Sequence, residues 1–336
     1  MTNPVLVNRW RGSAIEGRHR GFVSVCAADG TEVLSIGDTA RNHFPRSAIK
    51  FIQAIPFVES GAVEHYGLNS KHIALACASH NGEHMHTNLV KNWLDTIKLS
   101  EHDLECGAEL PLYPEARFEL IRSGGAPRRY HHNCSGKHTA ILTTCAHLGE
   151  PTVDYRLYHH PAQQRWISVL SELAGSDVSG LPYGYDGCAM PALAMPGRVL
   201  ARALARFCDS TGLSQERKYA MQTILQSVAD EPYLVAGADR LCSSLMTETG
   251  RPVLVKTGAD GCYTAILTHQ GYGVSLKIDD GDKKAAEVLL GAVLRQLNAL
   301  TTDQSDALAD YFLPEISNSR GDVVGRYEIA SESGLG

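Results

Sequence analysis

The stretch Pro45-Arg46-Ser47-Ala48-Ile49-Lys50 carries a serine and a lysine three residues apart. On a helix this spacing places both side chains on one face, about one turn from each other. A serine hydroxyl beside a lysine amine combines a nucleophile with a general base, provided that the amine is neutral. The reference pKa of lysine is about 10.4, so Lys50 must be buried or lie near another positive charge to act as a base. The pattern alone is short, and a helix cap followed by a surface lysine explains it as well.

Two further stretches make the pattern more specific. Ser79-His80-Asn81 and Lys256-Thr257-Gly258 follow along the chain, and this order of motifs is found in serine hydrolases that recognise penicillin. Ser79 is a candidate second nucleophile, proton shuttle or oxyanion donor. The alternative is that Ser79 and Glu83 only cap the helix that follows. The alternative for Lys256 is a lysine that reaches water from the end of a strand.

Length and composition exclude several classes of function. The chain has 336 residues, of which 43% are hydrophobic, and a net charge of −6, as expected for a globular protein with a large core. Without a basic stripe, nucleic acid is not an expected partner. No stretch approaches the roughly 20 apolar residues of a membrane span. The N-terminal residues lack the apolar run of a secretory signal, and the nine cysteines show no dense disulfide spacing, so we expect a cytoplasmic protein.

Strand patterns lie at both ends of the chain, and helical patterns lie between them. Residues 21–36 alternate around an Asp29-Gly30 turn and predict a hairpin. Further strand patterns occupy 252–256, 262–268, 273–278 and 323–329, while 73–78 fits a buried strand or a helix end. Helical patterns occupy 47–60, 84–99, 138–148, 161–173, 190–208, 215–230 and 282–297.

These patterns predict an α/β (α+β) fold in which one sheet is built from both termini and a helical region is inserted. We expect the sheet lobe at about 1–45 and 250–336 and the helical lobe at about 46–249. Because no linker or repeat separates the lobes, the whole chain is expected to form a single catalytic unit.

Cys134 and Cys188 differ from the other cysteines. They lie in polar, glycine-containing loops, at 132–138 and 185–188, whereas residues such as Cys145 lie among Ala and Leu. Two cysteines presented from two loops indicate a thiolate pair for zinc. Because no Cys-x-x-Cys is present, two partly buried thiols are the alternative.

Two other patterns suggest different chemistry. His80, His84 and His86 form a candidate metal cluster, although no carboxylate partner has a recognised spacing. The segment from Asn133 to Lys137 loosely resembles a phosphate loop, but the full Gly-x4-Gly-Lys-[ST] motif is missing. Neither pattern is specific.

Taken together, the motifs resemble the zinc-containing asparaginase family of the inducible rhizobial type, also called class 3 asparaginase. The likeness covers nearly the whole chain through residues 45–50, 76–83, 133–138, 186–188, 235–237, 254–261 and 276–281. It implies hydrolysis of L-asparagine to L-aspartate and ammonia, a fold similar to serine β-lactamases and glutaminases, and a homodimer. One departure is Ala189-Met190-Pro191, where the family leads us to expect a glycine and a smaller apolar residue.

The resemblance also implies roles for individual residues. Two Ser–Lys pairs map to Ser47 with Lys50 and to Ser79 with Lys256. A zinc ion (Zn2+) maps to Cys134, Lys137 and Cys188. Residues near the substrate map to Arg46, Glu83, Asn133 and Asp186. A lysine binds metal only as the free amine, so zinc implies that Lys137 loses its proton.

The hypothesis that follows is acyl transfer in two steps, with Ser47 as the nucleophile and Lys50 as its base. Whether Ser47 or Ser79 carries the acyl group stays open, as does the role of zinc in activating water, orienting the substrate or shaping the pocket. The alternatives are a glutaminase, a serine hydrolase of the β-lactamase type, and a zinc-binding protein without enzymatic activity.

Overall fold

The computed structural model describes residues 2–335. The chain divides into two compact units. The first unit comprises Met1–Ile49, Ala194–Asp209 and Glu248–Gly336, and the second comprises Lys50–Leu193 and Ser210–Thr247. No helix among the described residues is long and apolar enough to cross a membrane.

The first unit is built on an antiparallel sheet. Its strands and helices are β1 (Val5–Arg11), β2 (Ala14–Ala27), β3 (Glu32–Ile36), β4 (Asn42–His43), β7 (Met195–Pro196), α9 (Gly197–Ala205), β8 (Val253–Gly258), β9 (Cys262–Leu267), β10 (Tyr272–Ile278), α13 (Lys283–Gln296), α14 (Thr302–Ala307), α15 (Ala309–Phe312), β11 (Glu315–Ser317) and β12 (Val323–Ile329), with 3-10 helices at Arg46–Ile49 and Ser331–Ser333. The eight-stranded sheet has the order β11-β12-β1-β2-β10-β9-β8, and β3 pairs with β2. The prediction of one sheet from both termini is therefore confirmed.

The sheet forms the core of this unit because helices cover it. Helices α9 and α13 both pack on its strands. Every residue of β9 and all but the last of β8 are buried, as expected for strands that contact no water on either face. The alternating first half of β2 gives way to a second half that is buried almost throughout, where α9 and β10 contact it.

The second unit is mainly helical. Its elements are α1 (Lys50–Gln53), α2 (Ile55–Glu59), α3 (Ala62–His65), α4 (Ser70–Ala76), α5 (His84–Thr96), α6 (Pro114–Arg122), α7 (Ser135–Leu148), α8 (Pro161–Ala174), β5 (Tyr183–Tyr185), β6 (Pro191–Leu193), α10 (Gln215–Asp230), α11 (Pro232–Ala236) and α12 (Leu241–Thr249), with 3-10 helices at Glu101–Asp103 and Arg129–His131. Helix α4 packs against α7 and α10, and α2 packs against α7, α8 and α10. The strands β5 and β6 form a small antiparallel hairpin.

Most predicted elements are confirmed, and two helices are corrected. The predicted helix at 47–60 is divided into a 3-10 turn, α1 and α2; Pro56, at the start of α2, cannot donate the hydrogen bond that would join α1 to α2. The predicted helix at 190–208 begins only at Gly197, after β6 and β7. Pro191 and Pro196 prevent residues 190–196 from forming the interior of a helix. The segment 73–78 belongs to the end of helix α4.

Gly273 in β10 lets α9 approach the sheet closely, because a Cβ atom there would overlap the Ala201 carbonyl oxygen and the Ala205 nitrogen. We therefore expect Gly273→Ala to lower the free energy of unfolding by about 1–3 kcal/mol, the usual cost of overpacking. Gly17→Ala in β2 is the control, since its Cβ would make only ordinary contacts of 3.7–3.9 Å. Urea unfolding measures both changes, and equal stability of the two variants would contradict the prediction.

Candidate active site

The segment that carries Ser47 is held by the β8–β9 hairpin of the first unit. A Cβ atom on Gly258 would overlap the carbonyl oxygen of Pro45, so only glycine allows this close approach. The Thr264 hydroxyl donates to the carbonyl oxygen of Ala48 at 2.8 Å. The Lys-Thr-Gly motif therefore has a structural role, since its glycine fixes the backbone next to Ser47.

Arg46 occupies a strained backbone conformation immediately before Ser47. Its φ angle is 53°, a left-handed value that is uncommon for a residue with a side chain. Its guanidinium contacts the carboxylate of Asp260, at the tip of the β8–β9 hairpin, at 2.5 Å. This ion pair holds the Arg46 guanidinium at the surface beside the Ser47 segment.

Lys256 does not reach water. It is fully buried, and its Nζ donates to the Thr257 carbonyl oxygen at 2.8 Å. The alternative of a solvent-exposed lysine at a strand end is therefore wrong.

Lys50 is the central side chain of the second unit's site. It is fully buried, and its Nζ donates to the carbonyl oxygen of Ala78, to Ser79 Oγ at 3.1 Å and to Cys134 Sγ at 3.1 Å. The Lys50 Nζ thus contacts both Ser79 and Cys134. This contact was not anticipated from the sequence, which paired Ser79 with Lys256.

The loop after Ser79 is fixed to the Cys134 loop by His80. The Gly82 N–H donates to His80 Nδ1 at 3.1 Å, so the neutral ring carries its proton on Nε2. His80 Nε2 then donates to Ser135 Oγ at 2.9 Å. Burial, followed by the neighbouring His86, holds the pKa of His80 well below its ordinary value. His80 is therefore a neutral brace between the two loops.

The three histidines do not form a metal site. His80 and His86 are buried and stack with ring centroids 5.0 Å apart. His84 is exposed and contacts Glu119 at 3.2 Å. Among residues 2–335, no group of three His, Cys, Asp or Glu side chains is placed to hold a metal ion, so the histidine-cluster hypothesis is wrong.

Glu83 is fixed by a segment far away in sequence. Its carboxylate accepts hydrogen bonds from the Tyr233 hydroxyl at 2.5 Å, the Ala238 N–H at 3.1 Å and the Asn81 amide at 3.2 Å. It makes no capping bond to α5, so the capping alternative is wrong for Glu83. Burial and this carboxylate raise the pKa of Tyr233 to about 12. A Cβ atom on Gly237 would overlap Glu83, and no sequence motif pointed to Tyr233.

Cys134 and Cys188 meet in the interior together with Lys137. Both cysteines are buried and neither forms a disulfide, and the Lys137 Nζ donates to Cys188 Sγ at 3.2 Å. A hydrogen bond from Cys188, with the charges of Lys50 and Lys137, outweighs burial and holds the pKa of Cys134 well below its ordinary value. The pKa of Cys188 is raised because Cys188 donates the proton in its hydrogen bond to Cys134.

Lys137 is charged in this environment. Burial alone would lower its pKa, but the sulfur atoms of Cys188 and Cys134 outweigh burial and raise it. Cys134 also lies at the N-cap of α7, a position that stabilises a thiolate. The Cys134 thiolate thus accepts from the Cys188 thiol, which in turn accepts from the Lys137 ammonium ion.

A tight turn between β5 and β6 presents Cys188. The Asp186 N–H donates to the Met190 carbonyl oxygen, and the Ala189 N–H donates to the Asp186 carbonyl oxygen, both at 2.8 Å. Ala189 has a φ angle of 66°, which a glycine would adopt without strain. This is the position where the family resemblance led us to expect a glycine, and the turn forms despite the alanine.

The donor set of Cys134, Cys188 and Lys137 fits a zinc ion. Two sulfur atoms hydrogen-bond to each other, and the amine nitrogen of Lys137 donates to one of them, in a buried site. Zinc binds sulfur and nitrogen ligands in a tetrahedral arrangement, and three protein ligands leave one position open. The third donor is a lysine, so this set differs from clusters made of histidine, cysteine and carboxylates alone.

A buried lysine beside a serine hydroxyl can serve nucleophilic catalysis in a serine amidohydrolase. Comparison with known families supports this class of protein. The model of the L-asparaginase II family matches residues 7–329, nearly the entire chain. The chain belongs to the L-asparaginase II family. No curated protein matches its sequence significantly.

Three solved structures share a distant likeness. A candidate β-lactamase from Bacteroides dorei has 13% identity, covers 80% of this chain and 92% of its own, and has a TM-score of 0.44. A β-lactamase from Mycobacterium bovis has 12% identity, coverages of 87% and 94%, and a TM-score of 0.41. A D-alanine carboxypeptidase from Burkholderia cenocepacia has 11% identity, coverages of 81% and 93%, and a TM-score of 0.36. Likeness at this level carries no argument about the reaction.

The buried histidines around the site predict sensitivity to acid. Burial lowers the pKa of His86 to about 4, whereas an unfolded histidine titrates near 6.5. Between pH 6.5 and 4 the unfolded chain therefore binds more protons, so the free energy of unfolding falls as the pH falls, by up to about 3 kcal/mol for His86. We expect His86→Phe to make this dependence shallower, as measured by urea unfolding at pH 7 and pH 5.

The exposed His84 provides the control, because His84→Gln removes a histidine that is open to solvent. The same pH dependence in wild type and His86→Phe would show that His86 is not responsible for it.

Proposed function

We propose that the protein hydrolyses L-asparagine to L-aspartate and ammonia by nucleophilic catalysis from a serine assisted by buried lysines. The observation that carries the proposal is the fully buried Lys50 with its Nζ 3.1 Å from Ser79 Oγ. Membership of the L-asparaginase II family supports an amidohydrolase. A positioned base of this kind contributes about 10²–10⁴-fold to a rate.

The proposed reaction has two steps. In the first, the serine hydroxyl attacks the side-chain amide carbon of asparagine, a lysine amine takes the hydroxyl proton, and the C–N bond breaks as that proton passes to the leaving ammonia. In the second, water attacks the resulting β-aspartyl ester, its proton returns to the serine oxygen, and aspartate leaves. We assign the nucleophile to Ser47, three residues before Lys50, and the proton relay to Ser79 and Lys256.

Ser79 is the second candidate nucleophile, and the Lys50–Ser79 contact favours it specifically. Arg46 is the proposed partner of the substrate carboxylate, because a guanidinium binds a carboxylate with two parallel hydrogen bonds. Glu83, Asn133 and Asp186 are proposed to complete the substrate site. Since three donors already hold the Glu83 carboxylate, we expect it to act as a fixed acceptor.

We propose that Cys134, Lys137 and Cys188 hold a zinc ion. When bound, zinc supplies a positive charge that orients or polarises polar groups of the substrate. For the chain's own residues this requires Cys188 to release its proton and Lys137 to become a neutral amine. We further propose a cytoplasmic homodimer.

Replacement of the two serines tests the reaction. We expect Ser47→Ala to lower kcat for ammonia release from asparagine by at least about 10³-fold, as loss of a nucleophile does, and Ser123→Ala, an exposed serine, to have no effect. Mass spectrometry of enzyme quenched during turnover should locate the aspartyl group on Ser47. Near-normal turnover by Ser47→Ala, with the acyl group on Ser79, would move the assignment to Ser79.

The same assay separates the alternative functions. Faster release of ammonia from glutamine would identify a glutaminase, and hydrolysis of a β-lactam without amidase activity would identify a β-lactamase-like enzyme. Stoichiometric zinc without turnover of any amide would leave a zinc-binding protein.

Removal of a metal ligand tests the zinc site. We expect purified wild type to contain about one zinc per chain by mass spectrometry of the metal, and Cys188→Ser to lose most of it, because a serine hydroxyl is a poor replacement for a thiolate. Cys145→Ser is the control, since Cys145 is a buried cysteine of α7 outside the cluster. Equal zinc content in Cys188→Ser and wild type would refute the assignment.

A further inference from the structure

One part of the second unit, residues 112–128, contains no buried residue. Helix α6 has nine residues, none of which is buried, and residues 123–128 after it are all exposed. A β-bridge between Glu109 and Arg128 closes the base of this excursion. We call residues 112–128 the arm.

The arm presents apolar side chains to solvent. Phe118 is 61% exposed, Ile121 55% and Leu112 36%. The neighbouring Met85 at the start of α5 is 55% exposed, and the His84–Glu119 contact of 3.2 Å joins this turn of α5 to α6. A helix of this length is not stable in water on its own. An ordered helix with an uncovered apolar face of this kind marks an interaction surface.

The charges of α6 indicate what covers it. Glu115, Phe118 and Arg122 follow the i, i+3, i+7 spacing that places residues on one helix face, with the acid in the first turn and the base in the last. Two such helices packed face to face across a two-fold axis perpendicular to them run antiparallel, so each Glu115 meets the partner's Arg122 around a central apolar contact. Surfaces that complement themselves in this way are the mark of a two-fold dimer.

The other charges of the helix are held within the chain. Arg117 Nε donates to the Pro111 carbonyl oxygen at 2.9 Å, and Glu119 contacts His84. At the ends of the helix, Glu115 and Arg122 are both exposed. The Tyr113 hydroxyl makes a hydrogen bond with the Glu115 carboxylate, and the second carboxylate oxygen can still accept from a partner.

We propose that the arm binds the arm of a second copy of this chain, with the two α6 helices antiparallel. The proposal rests on the homodimer proposed above and names its interface, whereas the reaction does not depend on it. Sedimentation velocity across a range of protein concentrations tests it. We expect Phe118→Glu with Ile121→Glu to shift wild-type dimers to monomers, and Leu148→Glu, at an apolar residue of α7 that is 44% exposed, to leave them intact.

The charged pair provides a sharper test. Glu115→Arg alone and Arg122→Glu alone should each weaken dimerisation at least about tenfold, because each places like charges opposite one another. The double variant should dimerise again. A mixture of the two single variants should also form mixed dimers, since an arginine at 115 then meets a glutamate at 122 and the native Arg122 meets the native Glu115.

The outcomes distinguish the proposals. Wild type that stays monomeric at all concentrations overturns both the homodimer and the interface. Dimers that persist in the Phe118→Glu, Ile121→Glu variant, or single charge variants that fail to mix, overturn the interface alone. Circular dichroism confirms that each variant is folded, and ammonia release reports on the reaction independently.

Discussion

A lysine nitrogen withdrawn from water must find its hydrogen-bond partners inside the protein. Lys50 finds them in the carbonyl oxygen of Ala78, the hydroxyl of Ser79 and the sulfur of Cys134. These acceptors come from two loops far apart in sequence, so the position of one nitrogen fixes both. Loss of one partner would leave a buried polar group unpaired, at a cost of about 1–3 kcal/mol. His80 joins the same two loops through its hydrogen bond to Ser135. It thereby holds the acceptors of Lys50 at a fixed separation, as the buried lysine requires.

Two residues with strained backbone lie directly beside candidate site residues. Arg46 stands immediately before Ser47 with a φ angle of 53°, and Ala189 stands immediately after Cys188 with a φ angle of 66°. A left-handed residue with a side chain costs about 1 kcal/mol or more and persists only where its surroundings enforce it. In both cases a hairpin holds the residue in this conformation. The hairpin is β8–β9 for Arg46 and β5–β6 for Ala189. Each strained residue redirects the chain so that the neighbouring reactive side chain is presented in a fixed direction.

Local patterns predicted much of this protein, and contacts distant in sequence did not follow from them. The sheet from both termini and α10 follow from periodicity. The helical pattern expected at 138–148 begins earlier, at Ser135, so the place of Lys137 beside the cysteines came only from the family resemblance. Tyr233 and Glu83 are separated by 150 residues, and nothing local marks an exposed tyrosine as the partner of a carboxylate. The helix expected at 190–208 is a case in which a local pattern was misleading. Its apolar periodicity predicted a helix from residue 190, but two prolines delay the start of the helix. The Lys50–Ser79 contact depends on tertiary packing that brings α1 to the loop after α4, which periodicity does not specify.

The balance of charge among Cys134, Lys137 and Cys188 is compatible with the zinc ion proposed above. Taken by themselves, the Cys134 thiolate and the Lys137 ammonium cancel and the Cys188 thiol is neutral, while the charge of Lys50, 3.1 Å from Cys134 Sγ, also favours the thiolate. If a divalent cation were to replace the protons of Cys188 and Lys137, the two thiolates, the neutral amine and the cation would also sum to zero. Burial of an uncompensated charge would cost several kcal/mol, so a set with one thiolate fewer would disfavour the metal. A lysine as the third member of the proposed zinc site agrees with this balance, because Lys137 carries a positive charge in the absence of a cation and would release its proton to bind one.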